Sequence, residues 1–366
     1  MYTRRQTRSL EVGRVPVGGG APVSVQTMAN VDPHDASALC AQIASCAALG
    51  CDVFRLTVPD LAAAKTLGEV RKKSPVPLVA DIHFDADCAL AAIAAGTDAL
   101  RLNPGNIGAR DRVQAVARAA KAKGVPIRIG VNFGSLEKEL DAEVRSGRMP
   151  VSEALCRSAL GHLKLLEDEG FRDVVLSVKA SNVADTVESY RLLAERTDCP
   201  LHVGVTEAGT FLPGAVRNSV ALGVLLSEGI GDTIRVSLTA EPEKEVRVGM
   251  EILRSLGLKA PGPSVTSCPT CGRTKVDLFK VAAEVEEALE ALYHRQGGRS
   301  DRLADGRFPR VAVMGCVVNG PGEAKGADVA LCGGTDGFLL YVRGRPVGRV
   351  SEAEAVRKVL DHVVSL

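Results

Sequence analysis

Eight times in its first two thirds the chain repeats a short apolar run followed by a helix-forming stretch, and few folds accommodate that rhythm. The strand-like runs are PVSVQTM (22–28), CDVFRLTV (51–58), PLVADI (77–82), DALRLN (98–103), VPIRIGVN (125–132), DVVLSVK (173–179), PLHVGVT (200–206) and DTIRVSL (232–238). Ala-, Leu- and Glu-rich stretches separate them at 35–49, 86–95, 109–123, 151–169, 183–196, 213–228 and 241–256. Such alternation implies parallel strands joined by crossover helices. Eight units within this length fit a closed (β/α)8 TIM barrel. An open doubly wound sheet is the competing arrangement, but no G-x-G-x-x-G follows an early strand, which weakens its dinucleotide-binding form.

The strand ends carry chemistry. Arg55 and Thr57, Asp81 and His83, Arg101 and Asn103, then Arg128, Gly130 and Asn132 close strands two to five. Lys179, Thr206 with Glu207, and Arg235 with Ser237 close strands six to eight. Positions i and i+2 share a face of a strand, so 55/57, 101/103, 128/132 and 235/237 each point one way. An Arg with a polar partner fills a barrel interior poorly, because unpaired buried charge is costly. Convergence at the C-terminal face would instead make an anion pocket, since Arg grips phosphate through paired hydrogen bonds and Lys acts as a point charge. The density of charge favours a diphosphate over a single carboxylate. The bland alternative pairs each cation with a neighbouring acid at the rim. Loops 103–106, 130–135 and 207–214 carry Gly, Pro or Asn at turn positions. Glu207 is an acid in basic surroundings, suited to proton transfer or merely to charge balance. His83 could donate a proton or bind a phosphate oxygen.

Beyond residue 259 the pattern changes to a smaller α+β unit, giving expected domains 1–258 and 259–366. Helices are predicted at 276–293 and 351–365, and strands at 310–314, 327–332 and 337–343. A Pro/Gly-bounded loop holds Cys268 and Cys271 in SCPTCGRT, and MGCVVNGPGE places Cys316 and Glu323 around an expected turn at 319–322. Soft thiolates select zinc or an iron–sulfur cluster. Structural zinc wants a second close pair or histidines, and none of the six histidines is so placed. A thioredoxin-like dithiol normally opens a helix after a strand, whereas this pair follows KAPGPSVTS. Three thiolates and one further ligand suit a [4Fe–4S] cluster with one labile iron. Spacing leaves that fourth position open between Glu323 and Cys332 of ALCGGTDG.

Composition narrows the rest. A net charge of +1 with no Trp disfavours nucleic-acid binding. No apolar run reaches a membrane span, and MYTRRQTRSLEVG has no signal-like core. Ten cysteines without a disulfide-like framework point to a reducing, cytoplasmic setting. Cys40, Cys46, Cys51, Cys88, Cys156 and Cys199 read as buried small hydrophobes.

Taken in order, VADIHFD, RLNPGNIG, PIRIGVN with GSLEKEL, SVKAS, GVTEAG, LLSEGIGDTIRVSLT, CPTCGRT and GCVVNGPGEA resemble the bacterial 4-hydroxy-3-methylbut-2-enyl diphosphate synthases of isoprenoid biosynthesis. The resemblance implies a barrel followed by a [4Fe–4S] domain. It implies reductive ring opening and dehydration of 2-C-methyl-D-erythritol 2,4-cyclodiphosphate, with electrons from flavodoxin or ferredoxin, in a homodimer. By motif it assigns the cluster to Cys268, Cys271, Cys316 and, over Cys332, Glu323. It assigns diphosphate binding to Arg55, Arg101, Asn103, Arg128, Asn132, Lys179, Arg235 and Ser237, and proton transfer to Glu207 with His83 as second candidate. Residues 295–309 are longer, and 209–213 different, from the usual pattern. A Schiff-base lyase using Lys179 is the alternative of a different class; it leaves the cysteines unexplained. A pure electron carrier would need no anion pocket, and no Cys-x3-Cys-x-x-Cys run for radical chemistry is present.

Overall fold

The computed structural model describes residues 3–83, 85–103, 110–295, 303, 307–318 and 320–366. The NPGN loop beyond Asn103, most of the 295–309 stretch and Asn319 lie outside the described residues. The chain divides into two compact units, Met1–Lys259 and Ala260–Leu366.

The first unit opens with a hairpin, β1 (Ser9–Val12) and β2 (Val15–Gly18), that sequence periodicity did not reveal. The barrel follows as β3 (Ser24–Met28), β4 (Val53–Thr57), β5 (Leu78–Asp81), β6 (Ala99–Leu102), β7 (Ile127–Asn132), β8 (Val174–Lys179), β9 (His202–Val203) and β10 (Thr233–Ile234). All pair in parallel in the order β8-β7-β6-β5-β4-β3-β10-β9, and a parallel bridge between Leu176 and Leu201 completes the ring. The closed barrel stands, and the open sheet does not. The crossover helices are α1 (Ala36–Ala48), α2 (Leu61–Arg71), α3 (Ala86–Ala94), α4 (Arg110–Lys123), α5 (Lys138–Arg145), α6 (Val151–Glu167), α7 (Val183–Arg196), α8 (Phe211–Ser227) and α9 (Pro242–Ser255). Helix α2 has a weak apolar signal and was missed in the sequence, as was the short α5.

Side-chain alternation builds the wall. Phe54, Leu56, Leu78, Ala80, Leu100, Ile127, Ile129, Leu176 and Val178 join the helices in one buried cluster. Each such side chain contributes about 1.5–3 kcal/mol by leaving water. Several βα loops end in a capping acid or amide. Asp35 accepts from the Ser37 and Ala38 amides, Asp60 from Ala63, Asp85 from Asp87, and Asn182 from Asp185. Each cap satisfies a helix N–H that has no partner within the helix, which fixes where the loop above the strand ends. At the N-terminal end, Leu10, Val12 and Val17 of the hairpin pack on Val53, Val79, Ala99 and Val175 and close the barrel floor.

The second unit contains a five-stranded sheet. Strands β11 (Ser264–Ser267), β12 (Arg310–Met314) and β13 (Val329–Gly334) are parallel, and β14 (Gly337–Val342) and β15 (Arg345–Val350) continue antiparallel. Strands β11 and β15 were not expected. Helices α10 (Leu278–Arg295) and α12 (Glu352–Ser365) bury Leu278, Val281, Leu289, Val359 and Val363 against Val311, Val313 and Leu331. The alternate residues Ala312, Met314, Ala330 and Cys332 form a smaller cluster with Ala324 of α11 (Gly320–Gly326). Residues 320–322 therefore open a short helix instead of remaining in a turn. Gly320 permits it, because a Cβ there would lie 2.7 Å from the Cys332 sulfur.

Candidate functional site

Pairing register sets the charged layer. Asp81 stands beside Arg101, and Arg101 beside Arg128, on three adjacent strands, while Asn132 pairs with Lys179. Neighbours in register share a face, so these side chains meet inside the barrel. Arg55, Arg101, Arg128 and Lys179 are all buried, as are Asp81 and Asn103. Arg235, Asn132 and Ser237 are half-buried. The barrel interior thus holds charge where a conventional barrel holds Val, Ile and Leu. The expectation that an Arg would avoid the interior is overturned, and the ion pairs show how.

Asp81 serves two cations. Its carboxylate lies 3.1 Å from Arg101 Nη1 and 3.7 Å from Arg55 Nε. Burial pushes the Asp81 pKa upward, but Arg55 and Arg101 more than reverse this and leave it below the usual carboxylate range. Arg55 also rests its Nε on the Met28 sulfur at 3.1 Å. Burial lowers the Arg55 guanidinium to about 10, against the pull of Asp81 and with the push of Arg235 and Arg101. Arg101 donates to the Gly130 carbonyl at 3.3 Å. It lies so close over that residue that a Cβ would sit 2.6 Å from its Nε. On its outer side Arg101 Nη1 is 3.3 Å from Nε2 of the exposed His83.

Arg235 pairs with Glu245 of α9 at 3.4 Å, and the same carboxylate accepts from Thr27 Oγ1 at 2.7 Å and the Leu238 amide at 2.9 Å. Glu245 was missed: a Glu on an amphipathic helix reads as surface, and only the tertiary fold shows it buried. Arg128 and Lys179 have no carboxylate within ion-pair distance among the described residues. Burial holds both well below their ordinary pKa values, with neighbouring cations adding to the effect. Rim pairing therefore accounts for Arg55, Arg101 and Arg235 and fails for these two. An anionic ligand would supply the missing counter-charge. Arg128→Ala is expected to weaken inorganic diphosphate binding by about 10–100-fold, the scale of one hydrogen bond to a charged group. Melting temperature should hold or rise, since an unpaired buried cation is removed. Titration calorimetry beside a thermal melt checks this, and parallel loss of both would return Arg128 to a structural role.

Glu207 follows β9 in an exposed loop at φ +50°. Left-handed backbone in a non-glycine residue carries strain, and such strain concentrates at functional positions. Thr270, between the paired cysteines, has φ +67°.

In the second unit Cys268, Cys271 and Cys316 line one cavity of about 200 Å³ together with Thr270, Thr274 and Gly315. The Gly315 amide donates to the Cys268 sulfur at 3.4 Å. All three cysteines retain solvent access. Among the described residues no group of three or more His, Cys, Asp or Glu converges closely enough for a single ion. Three cysteine sulfurs lining one cavity are a soft donor set that fits zinc or an iron–sulfur cluster. Glu323 is exposed in the first turn of α11 and is not among the residues lining that cavity. Cys332 is fully buried, and burial pushes its thiol up to about 11. Of the six cysteines read as packing residues, all but the half-buried Cys40 are buried.

A (β/α)8 barrel with a buried cationic cup, in one chain with an α+β unit that carries a cysteine-lined cavity, has the architecture of a two-domain barrel enzyme. The chain belongs to the GcpE family: the family model described as the GcpE TIM-barrel domain matches residues 7–250, and that of the GcpE protein C-terminal domain matches residues 264–365. The 4-hydroxy-3-methylbut-2-en-1-yl diphosphate synthase (flavodoxin) of Geobacter sulfurreducens is 50% identical over 360 residues, covering 98% of each chain. That of Clostridium acetobutylicum is 48% identical, covering 98% of this chain and 99% of its own. That of Symbiobacterium thermophilum is 49% identical, covering 99% and 94%.

Proposed function

We infer that this protein is a flavodoxin- or ferredoxin-dependent 4-hydroxy-3-methylbut-2-enyl diphosphate synthase. It takes 2-C-methyl-D-erythritol 2,4-cyclodiphosphate, two electrons and two protons to the open-chain allylic diphosphate and water. The observation that carries the reading is the pair of buried cations, Arg128 and Lys179, left without carboxylates in the barrel of a chain about half identical to synthases of that name. A dianionic group bound there would stabilise all five cations at once. Arg55, Arg101, Arg128, Lys179 and Arg235 grip the diphosphate, with Asn103, Asn132 and Ser237 supplying neutral hydrogen bonds. The arrangement orients the ring and excludes water from the charged layer.

Cys268, Cys271 and Cys316 would hold a [4Fe–4S] cluster, with Glu323 as the oxygen ligand. When bound, such a cluster supplies electrons one at a time. Glu207 moves the proton that accompanies loss of water, and His83, against Arg101, is the second candidate. A carboxylate is a harder and more readily displaced ligand than thiolate, which favours Glu323 over the buried Cys332. A second copy of the chain is the natural partner for the apolar row Leu212, Val216, Val220 and Val224 exposed along α8. No described helix is long and apolar enough to cross a membrane, and the reducing conditions that free thiolates require fit a cytoplasmic setting.

The Lys179 Schiff-base alternative is not supported, because the relatives bear the name of a synthase with a flavodoxin partner. The test is turnover of the cyclodiphosphate by anaerobically purified protein with reduced flavodoxin, followed by phosphorus NMR. Brown protein that forms the allylic diphosphate is the expected result. Colourless, metal-free protein with full turnover would sink the reading.

A further inference from the structure

Beneath the charged cup, four buried side-chain atoms have no hydrogen-bond partner within the protein: Ser24 Oγ, Gln26 Oε1, Arg128 Nη2 and His202 Nε2. Their residues line one cavity of about 20 Å³ at the barrel floor, closed by Val12 and Val17 of the hairpin and by Val53, Val79 and Val175. Each of the four residues is more than nine-tenths buried. The far nitrogen of the imidazole, His202 Nδ1, lies 3.4 Å from Thr233 Oγ1. A buried polar atom left unsatisfied costs about 1–3 kcal/mol. Four such costs in one place call for a common partner.

The cavity sets the size of that partner. A water needs roughly 10–15 Å³ and two to four polar contacts. Donor and acceptor arithmetic sets its chemistry. Arg128 Nη2 can only donate, and Gln26 Oε1 can only accept. Burial, with Arg128 and Lys179 nearby, keeps the His202 imidazole neutral, so its two nitrogens divide the donor and acceptor roles, and we assign the tautomer in which Nδ1–H donates to Thr233 and Nε2 accepts. The Ser24 hydroxyl turns either way. One water accepting from Arg128 and Ser24 and donating to Gln26 and His202 satisfies all four. A halide accepts only, and would set an anion against Gln26 Oε1 and the imidazole lone pair. A cation would face Arg128.

We propose that the closed end of the barrel is a binding site for one internal water shared by Ser24, Gln26, Arg128 and His202, and that Gln26 and His202 act through it as positioning residues for Arg128. The water site stands independently of the function inferred above. Its effect on diphosphate binding rests on the function inferred above. Held from below, the Arg128 guanidinium needs no rearrangement to meet an anion, and preorganisation of that kind strengthens binding without a new contact.

A crystal structure of the full chain, with a second crystal soaked in bromide, tests the site. The expected result is a density peak within about 2.7–3.2 Å of all four atoms and no anomalous peak there with bromide. An empty cavity overturns the proposal, as does a halide. Inorganic diphosphate affinity, measured by titration calorimetry, tests the coupling. His202→Leu is expected to weaken it about tenfold, and His202→Gln to restore most of the loss by accepting from the water. Gln26→Leu removes the other acceptor and should reproduce the Leu phenotype, so the test does not hang on one variant folding. Equal losses in His202→Leu and His202→Gln would reduce His202 to a space-filler. Clear water density in a protein that binds no diphosphate would remove the inferred function and leave the site standing.

Discussion

Cys316→Ser is expected to abolish the visible iron–sulfur absorption and the activity together, whereas Cys332→Ser leaves the absorption nearly intact. The contrast follows from where the two sulfurs sit. Cys316 lines the cavity shared with Cys268 and Cys271 and retains solvent access. Cys332 is packed among Ala312, Met314, Ala324 and Ala330, and burial pushes its thiol up to about 11, which makes the thiolate harder to form. The thiolate is the form that binds iron, so a site that disfavours it is the poorer ligand. Serine at 332 buries a hydroxyl in that cluster, so a modest loss of stability is expected, about 1–3 kcal/mol. Iron and sulfide analysis with electron paramagnetic resonance on anaerobic protein measures the outcome. Loss of iron in Cys332→Ser with retention in Glu323→Gln would show the ligand set to be wrong. Glu323 is the exposed member of the proposed set, so that second arm bears directly on it.

How much of this was legible in the sequence depends on the range over which each signal acts. The barrel was visible because parallel strands buried on both sides leave apolar runs, and eight of them recurred at a regular spacing. The cup was visible because Arg55, Arg101, Arg128, Lys179 and Arg235 recur in five of the eight strand runs. Their depth was not. Burial of Arg55 and Arg101 depends on Asp81 forming an ion pair with both, a relation between three strands that no local pattern encodes. Glu245 lies on a helix face that the chain alone presents as solvated, yet it is almost fully buried against Arg235 and Thr27. The floor residues Ser24, Gln26, His202 and Thr233 fall inside the strand runs, but that they share one cavity is a relation between strands that no single run encodes. The hairpin over them has strands of four residues, too short for alternation to stand out. At the cysteine site the spacing left Glu323 and Cys332 level, and only the resemblance prefers Glu323; the structure buries Cys332 and leaves Glu323 exposed.

Asp81→Asn should be the most destabilising single change in the barrel, with a loss of about 3–5 kcal/mol, the cost of breaking a buried ion pair from one side. The neutral amide keeps the shape and removes the charge. Arg55 and Arg101 then stand buried beside Arg128 and Lys179 with no carboxylate at 3.1 or 3.7 Å. The sign of the pH dependence follows from the direction of the shift. The folded-state pKa of Asp81 lies below its unfolded value, so its contribution is complete above the unfolded carboxylate pKa, near 3.9. It is lost as pH falls through the folded value. Wild type and variant should therefore differ by the full amount at neutral pH and converge in acid, as followed by urea unfolding across a pH series. Inorganic diphosphate should recover part of the loss at neutral pH, because a ligand that binds only the folded state stabilises it. A variant as stable as wild type at neutral pH would show that the cations do not depend on Asp81. A gap that stays constant into acid would place the effect in packing and remove the charge argument on which the cup rests.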